Sequence, residues 1–228
     1  LLGIGYNDVD GFGDGHQETG EVLPYLPLPS GRTVVEIEAG HQHTCAILDN
    51  GEITCWGDNS KGQLGIGNTS FMGDSADEIG DYSPVTSITP SLASAAPVSL
   101  AMGWDHSCAL FSNGEVFCWG DNSQGQLGIG STSDIGDGPG EMGSSLAAVD
   151  FPTGRTAVEI TTGDDFTCAI LDNGDVACWG YNSHGQLGIG TSSNRGDTSG
   201  QMGDSTIMTD INDNTPGQVF FDEPVTLE

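Results

Sequence analysis

The sequence predicts an all-β protein built as a radial array of small, repeated sheets. Three segments align almost residue for residue: Cys45 to Gly67, Cys108 to Gly130 and Cys168 to Gly190. Their first cysteines stand 63 and then 60 residues apart, a spacing that marks repeat architecture. Within each segment the apolar pattern has period two, and glycine is frequent throughout, at 36 of 228 residues. A small sheet of this kind cannot bury its faces alone and must stack on its neighbours.

The elements follow in order. Val35-Glu36-Ile37, Thr44 to Leu48 and Glu52 to Trp56 read as short strands. Between the last two, Asp49-Asn50-Gly51 is a hairpin turn, because Gly51 accepts a positive φ without steric cost. Asn113-Gly114 and Asn173-Gly174 repeat it, and Gly62-Gln63-Leu64-Gly65 reads as a turn between strands. No stretch offers ten residues of helical periodicity free of glycine. Partial copies stand at both ends: Leu2-Gly3-Ile4-Gly5 matches Leu64 to Gly67, and Pro224-Val225-Thr226-Leu227 matches Pro97 to Leu100. The chain thus holds about 3.7 repeat lengths. Residues 1–36 are a partial unit and linker, 37–97 and 98–159 are repeats, and 160–228 hold a repeat and the start of the next. It reads as a window of a longer array, whose end faces need further units or strands of another chain.

The string from Gly40 to Gly65 resembles the regulator of chromosome condensation repeat. It joins a His-x-Cys strand, a turn, a Trp-Gly strand end and a Gly-Gln-Leu-Gly loop at fixed offsets, three times over essentially the whole chain. The resemblance implies a β-propeller, usually of about seven four-stranded blades.

The six cysteines form three pairs, Cys45/Cys55, Cys108/Cys118 and Cys168/Cys178, each ten residues apart across the turn. With a three-residue loop at 49–51, Cys45 and Cys55 face each other at a non-hydrogen-bonded position, where Cα atoms approach within disulfide reach. Zinc is the rival reading, but zinc ligands usually stand two to four residues apart and come in fours. Free core thiols are the third. The geometry favours disulfides, each stabilising by roughly 2–3 kcal/mol, and disulfides imply an oxidising compartment, extracellular or at the cell surface.

Trp56, Trp119 and Trp179 follow the second cysteine of each pair and read as packing between blades. Trp104 has no counterpart, with Gln42 and Asp165 at its alignment position, and is the candidate for a partner contact. His43 and His106 align with Phe166, which excludes a metal or catalytic role and points to an imidazole N–H bonded to the neighbouring blade. His16, His41 and His184 are unaligned. No catalytic set and no phosphate-binding loop is visible, so no catalytic residue and no cofactor is assigned.

Repeated acids offer a calcium reading: Asp74 with Glu78, Asp137 with Glu141, Asp197 with Gln201, and Asp14 with Glu18 in the first copy. Solvated turns are the alternative. Asp8-Val-Asp-Gly and Asp210-Ile-Asn-Asp-Asn do not complete a calcium loop. Arg195-Gly196-Asp197 matches an adhesion tripeptide but lies on the repeat's own loop pattern, beside Met72-Gly-Asp and Ile135-Gly-Asp. Asn68-Thr69-Ser70 is the one N-glycosylation sequon, and the Ser/Thr/Pro loop from Thr86 to Pro97 could carry O-linked sugars.

Only Arg32, Lys61, Arg155 and Arg195 oppose 33 acids, giving a net charge of −29. Such a surface repels phosphate, which argues against nucleic acid and anionic membrane partners. No apolar run approaches the roughly 18 residues a helical span needs. The leading function is a non-enzymatic extracellular scaffold or protein-interaction propeller, such as a subunit of a surface appendage or filament, with protein partners or self-assembly. A secreted propeller inhibiting an enzyme is the second; its aromatic rim would come from Trp104, Tyr6, Tyr25, Phe71 and Tyr82. The founding activity of the family, nucleotide exchange on a small nuclear GTPase while bound to chromatin, is third, opposed by disulfides and by the charge.

Overall fold

The computed structural model describes residues 25–75 and 77–209. Three blades follow one another. The first is β1 (Val34–Ala39), β2 (His43–Leu48), β3 (Ile53–Gly57) and β4 (Val85–Thr86), antiparallel and in chain order. The second is β5 (Pro97–Met102), β6 (His106–Phe111) and β7 (Val116–Gly120). Its fourth edge shrinks to a bridge between Phe117 and Ala148. The third is β8 (Ala157–Thr162), β9 (Phe166–Leu171), β10 (Val176–Gly180) and β11 (Met208–Thr209). The first strands β1, β5 and β8 lie side by side, at the converging edge of the fan.

The hairpin turns form as their residues dictate. Gly51 takes φ +82°, and Leu48 and Glu52 close the loop through the Leu48 N–H to Glu52 carbonyl bond of 2.8 Å. The Asn50 side-chain oxygen accepts the Glu52 N–H, and its side-chain amide donates to the Glu52 carboxylate at 2.7 Å. Asn113 with Glu115 and Asn173 with Asp175 repeat this.

Repeat boundaries placed at 37, 98 and 160 fall inside β1, β5 and β8. The strands begin earlier because a bulge follows Val34, Pro97 and Ala157, so an exposed Val35, Val98 or Val158 interrupts the apolar alternation. The partial copy at residues 2–5, and with it Tyr6, Asp8, Asp14, His16 and Glu18, lies outside the described residues, as do Asp210 to Asn214 and Pro224 to Leu227.

The core lies between blades. One layer sets Cys45, Ile47, Ile53, Cys55 and Leu64 against Leu100, Phe111, Phe117 and Trp119. The other sets Cys108, Leu110, Val116, Cys118 and Leu127 against Ile160, Leu171 and Trp179. Successive residues of a strand thus serve opposite neighbours, and β2, β3, β6 and β7 read as nearly continuous apolar runs because both their faces are covered. The outer faces show the contrast: Ile170 is 37% exposed, whereas its counterparts Ile47 and Leu110 are 2% and 4% exposed.

Candidate functional site

Cys45 pairs in register with Cys55, Cys108 with Cys118, and Cys168 with Cys178. All three pairs are disulfide-bonded at a Cα separation of 4.1 Å, and no described cysteine is free. The first two bridges also form part of the packed layers between blades.

The recurring histidine, tryptophan and loop glutamine meet at each blade boundary. His43 Nε2 lies 2.9 Å from Ser107 Oγ of the next blade. Ser107 gives its own proton to the Gln63 carbonyl at 2.8 Å, so Nε2 is the donor. Trp119 Nε1 donates to the same carbonyl at 2.9 Å. One boundary on, His106 Nε2 meets Thr167 Oγ1 at 3.0 Å, and Thr167 and Trp179 both donate to the Gln126 carbonyl at 2.9 Å. Burial pushes His43 down to about 4, despite Asp58 nearby, and His106 down to about 3. Both rings are neutral at pH 7 and serve as struts between blades. They pack beneath Gly40 and Gly103, and Phe166 fills the same space beneath Gly163.

Sequence reasoning missed the residues that shape the Gly-Gln-Leu-Gly loop. Asn59, Asn122 and Asn182 are fully buried. Their side-chain oxygens accept the N–H of Leu64, Leu127 and Leu187, and their amides donate to the carbonyls of Asn68, Ser131 and Thr191. The signal was present: an asparagine three residues after each repeated tryptophan.

The acids considered for calcium are engaged locally. The Glu78 carboxylate accepts the N–H groups of Gly73 and Ser75, Glu141 those of Gly136 and Gly138, and Gln201 that of Thr198. Among the described residues no group of three His, Cys, Asp or Glu side chains is arranged to hold a metal. Arg195 is likewise held in its own loop, donating to the carbonyls of Gln201 and Ser205 at 3.1 and 2.9 Å. Asn68 is exposed, and its side-chain oxygen accepts the Ser70 N–H at 2.8 Å in a tight turn between β3 and β4.

At the end of the blades opposite the hairpin turns, the β1–β2, β5–β6 and β8–β9 loops gather at the converging edge. His41 N–H donates to the Gly103 carbonyl at 3.3 Å, and Trp104 N–H donates to the Asp164 carbonyl at 2.9 Å. Gly40, Gly103 and Gly163 close equivalent loops by donating to the carbonyls of His43, His106 and Phe166, each at 2.9 Å, so the residues equivalent to Trp104 are His41 and Asp164. Gln42 and Asp165 correspond to Asp105, a correction of one residue that follows from the fixed Gly-x-x-His/Phe step. His41 stacks on Trp104 with ring centroids 3.9 Å apart, and Trp104 is 45% exposed. The pair lines a cavity of about 250 Å³ that Met102, Thr162 and Asp164 complete. Tyr25, Phe71 and Tyr82 are also exposed but do not line it.

Acids crowd this end. Burial raises Asp105, and the carboxylates of Asp58, Asp121 and Asp165 raise it further; burial, then Asp121 and Asp164, raise Asp165. Lys61 binds Asp121 and Asp134, each at 3.2 Å, across the first blade boundary. Among the described residues Asp58, Asp105, Asp164 and Asp165 make no ion pair.

The regulator of chromosome condensation (RCC1) repeat matches the chain at residues 50–110 and 113–170, and a second model of the same repeat matches 34–63, 98–126 and 157–186. The chain is 28% identical over 195 residues to the ultraviolet-B receptor UVR8 of Arabidopsis thaliana, covering 86% of this chain and 40% of the receptor. It is 33% identical over 157 residues to the probable E3 ubiquitin-protein ligase HERC3 of Homo sapiens, covering 69% of this chain and 13% of the ligase. It spans well under half the length of these curated relatives. The crystal structure of Prp20p from Saccharomyces cerevisiae, 24% identical, matches 81% of this chain and 38% of that one with a TM-score of 0.53, which shows the β-propeller fold. With its blades, its inter-blade struts and these matches, the chain belongs to the regulator of chromosome condensation (RCC1) repeat family.

Proposed function

We propose that this chain is part of a non-enzymatic extracellular propeller that binds proteins as a scaffold, as in a surface appendage or filament. The observation that carries the reading is the complete pairing of the six cysteines into hairpin disulfides, since such bonds persist in oxidising compartments. The charge of −29 supports it by disfavouring nucleic acid and anionic lipid. Protein binding has precedent in the fold: Prp20p is described with binding to Gsp1p and histones. The exposed sequon turn at Asn68 offers a glycan site.

The test is to follow the tagged protein in cells of its source. Recovery from the medium or the protease-accessible cell surface is expected, with a loss of mass on N-glycosidase treatment that Asn68→Gln removes. Retention in the nucleus or cytosol would overturn the extracellular reading.

A further inference from the structure

We propose that the axial end of the blades, around Trp104, docks an arginine- or lysine-bearing segment of a partner protein. This deepens the protein-binding reading and rests on it. The side chains that would meet the segment are His41, Trp104, Asp105, Asp164 and Asp165.

Two independent observations converge there. The first is aromatic. Of the four tryptophans, Trp119 and Trp179 are buried between blades and Trp56 is also buried, while Trp104 stands in the open at a position the neighbouring blades fill with His41 and Asp164. A position that changes side chain from blade to blade is free of the packing rule that fixes the others. Stacking on His41 holds the indole in place before any ligand arrives, so binding forfeits little rotamer entropy. An exposed, immobilised indole beside a cavity of about 250 Å³ is a contact anchor, and a guanidinium or ammonium is attracted to such a ring.

The second is electrostatic. Asp58, Asp105, Asp164 and Asp165 come from loops of all three blades to one end, and none of the four makes an ion pair among the described residues. Burial, and after it the neighbouring carboxylates, raise Asp105 and Asp165. Asp58 accepts the Ser60 N–H and Asp105 the Gln63 side-chain amide, whereas Asp164 and Asp165 have no side-chain partner among the described residues; elsewhere Glu78 and Glu141 hold their own loops, and Asp49 and Asp172 pair with Arg32 and Arg155. A cationic segment crossing the three loops would relieve the repulsion between neighbouring carboxylates. Because the acids are spread over three blades, an extended peptide reaches more of them than a compact ion does.

The test uses the oxidised protein and a synthetic peptide, acetyl-Gly-Arg-Lys-Gly-Arg-Gly-amide, followed by tryptophan fluorescence and by calorimetry. Saturable binding that changes the Trp104 emission and weakens with salt is expected. Trp104→Ala should abolish it, and Asp105→Asn with Asp165→Asn should weaken it by about tenfold. The control, Glu52→Gln with Asp175→Asn, removes the same charge at the opposite, hairpin-turn end and should change affinity by less than about twofold. Equal losses in the two double variants, or unchanged binding by Trp104→Ala, would show general attraction to an acidic surface and overturn the proposal. Spermine binding as tightly as the peptide would also overturn it, in favour of a small-cation site. A protein partner that binds while this peptide does not would leave the scaffold reading standing and refute the axial site alone.

Discussion

Acidification from pH 7.5 to 5 should destabilise the chain through His43 and His106. Both rings lie between blades with Nε2 donating to a hydroxyl and Nδ1 buried without a partner. Burial holds them at about 4 and about 3, against 6.5 in the unfolded chain. Below pH 6.5 the unfolded chain therefore takes up two protons that the folded chain refuses. Their contribution is intact above pH 6.5 and falls as pH drops toward 4. At pH 5 each histidine sits about 1.5 pH units below its unfolded midpoint, which corresponds to about 2 kcal/mol each and about 4 kcal/mol together. That is a large part of the 5–15 kcal/mol typical of a domain. Protonation of the many carboxylates acts at the same time, so the comparison must be with a variant sharing them. His43→Phe with His106→Phe supplies it, since the third blade already carries Phe166 at this position. Urea unfolding of both proteins at pH 7.5, 6 and 5 gives the difference. The natural chain should lose about 4 kcal/mol more than the variant between pH 7.5 and 5. Parallel pH profiles would refute the strut assignment.

Three further outcomes follow from the packing. Gly62 and Gly125 hold positive φ, and a Cβ on either would strike the backbone of the next blade at Asp137 or Asp197; Gly185 has the same φ but open space around it. Gly62→Ala and Gly125→Ala should each cost about 2–4 kcal/mol in urea unfolding, and Gly185→Ala about 1. Replacing Cys108 and Cys118 by alanine removes a bridge and part of a packed layer, so it should cost about 3–5 kcal/mol, against about 2–3 for Cys168 and Cys178 on the less covered blade. Asn122→Ala strands the Leu127 N–H and loses the bond to the Ser131 carbonyl, and should lower stability by about 2–4 kcal/mol by the same assay.

What the sequence made legible was local. The β2–β3 hairpin could be read to the residue, because the Asn-Gly turn fixes its register and with it the facing of Cys45 and Cys55. The fourth strands could not. Val85–Thr86 and Met208–Thr209 are two residues long and follow irregular loops, so no alternation marks them. Their reach is nonetheless specific: Thr86 Oγ1 and Thr209 Oγ1 each donate at 2.7 Å to the carbonyl of the loop leucine, Leu64 or Leu187. The histidines were legible as inter-blade donors, but not their acceptors, since Ser107 and Thr167 stand 64 and 61 residues further along the chain. The axial loops were misaligned by one residue because the Gly-x-x-His/Phe step varies at both middle positions. The repeated backbone bonds from Gly40, Gly103 and Gly163 to His43, His106 and Phe166 fix which residues are equivalent.

Mapping the cysteines of protein isolated from its source, with thiols alkylated before lysis and peptides separated without reduction, tests the central claim most directly. The account predicts three linkages and no others, Cys45–Cys55, Cys108–Cys118 and Cys168–Cys178, with no alkylated cysteine. Cysteines alkylated in the native protein, or a link between blades such as Cys45–Cys108, would contradict it.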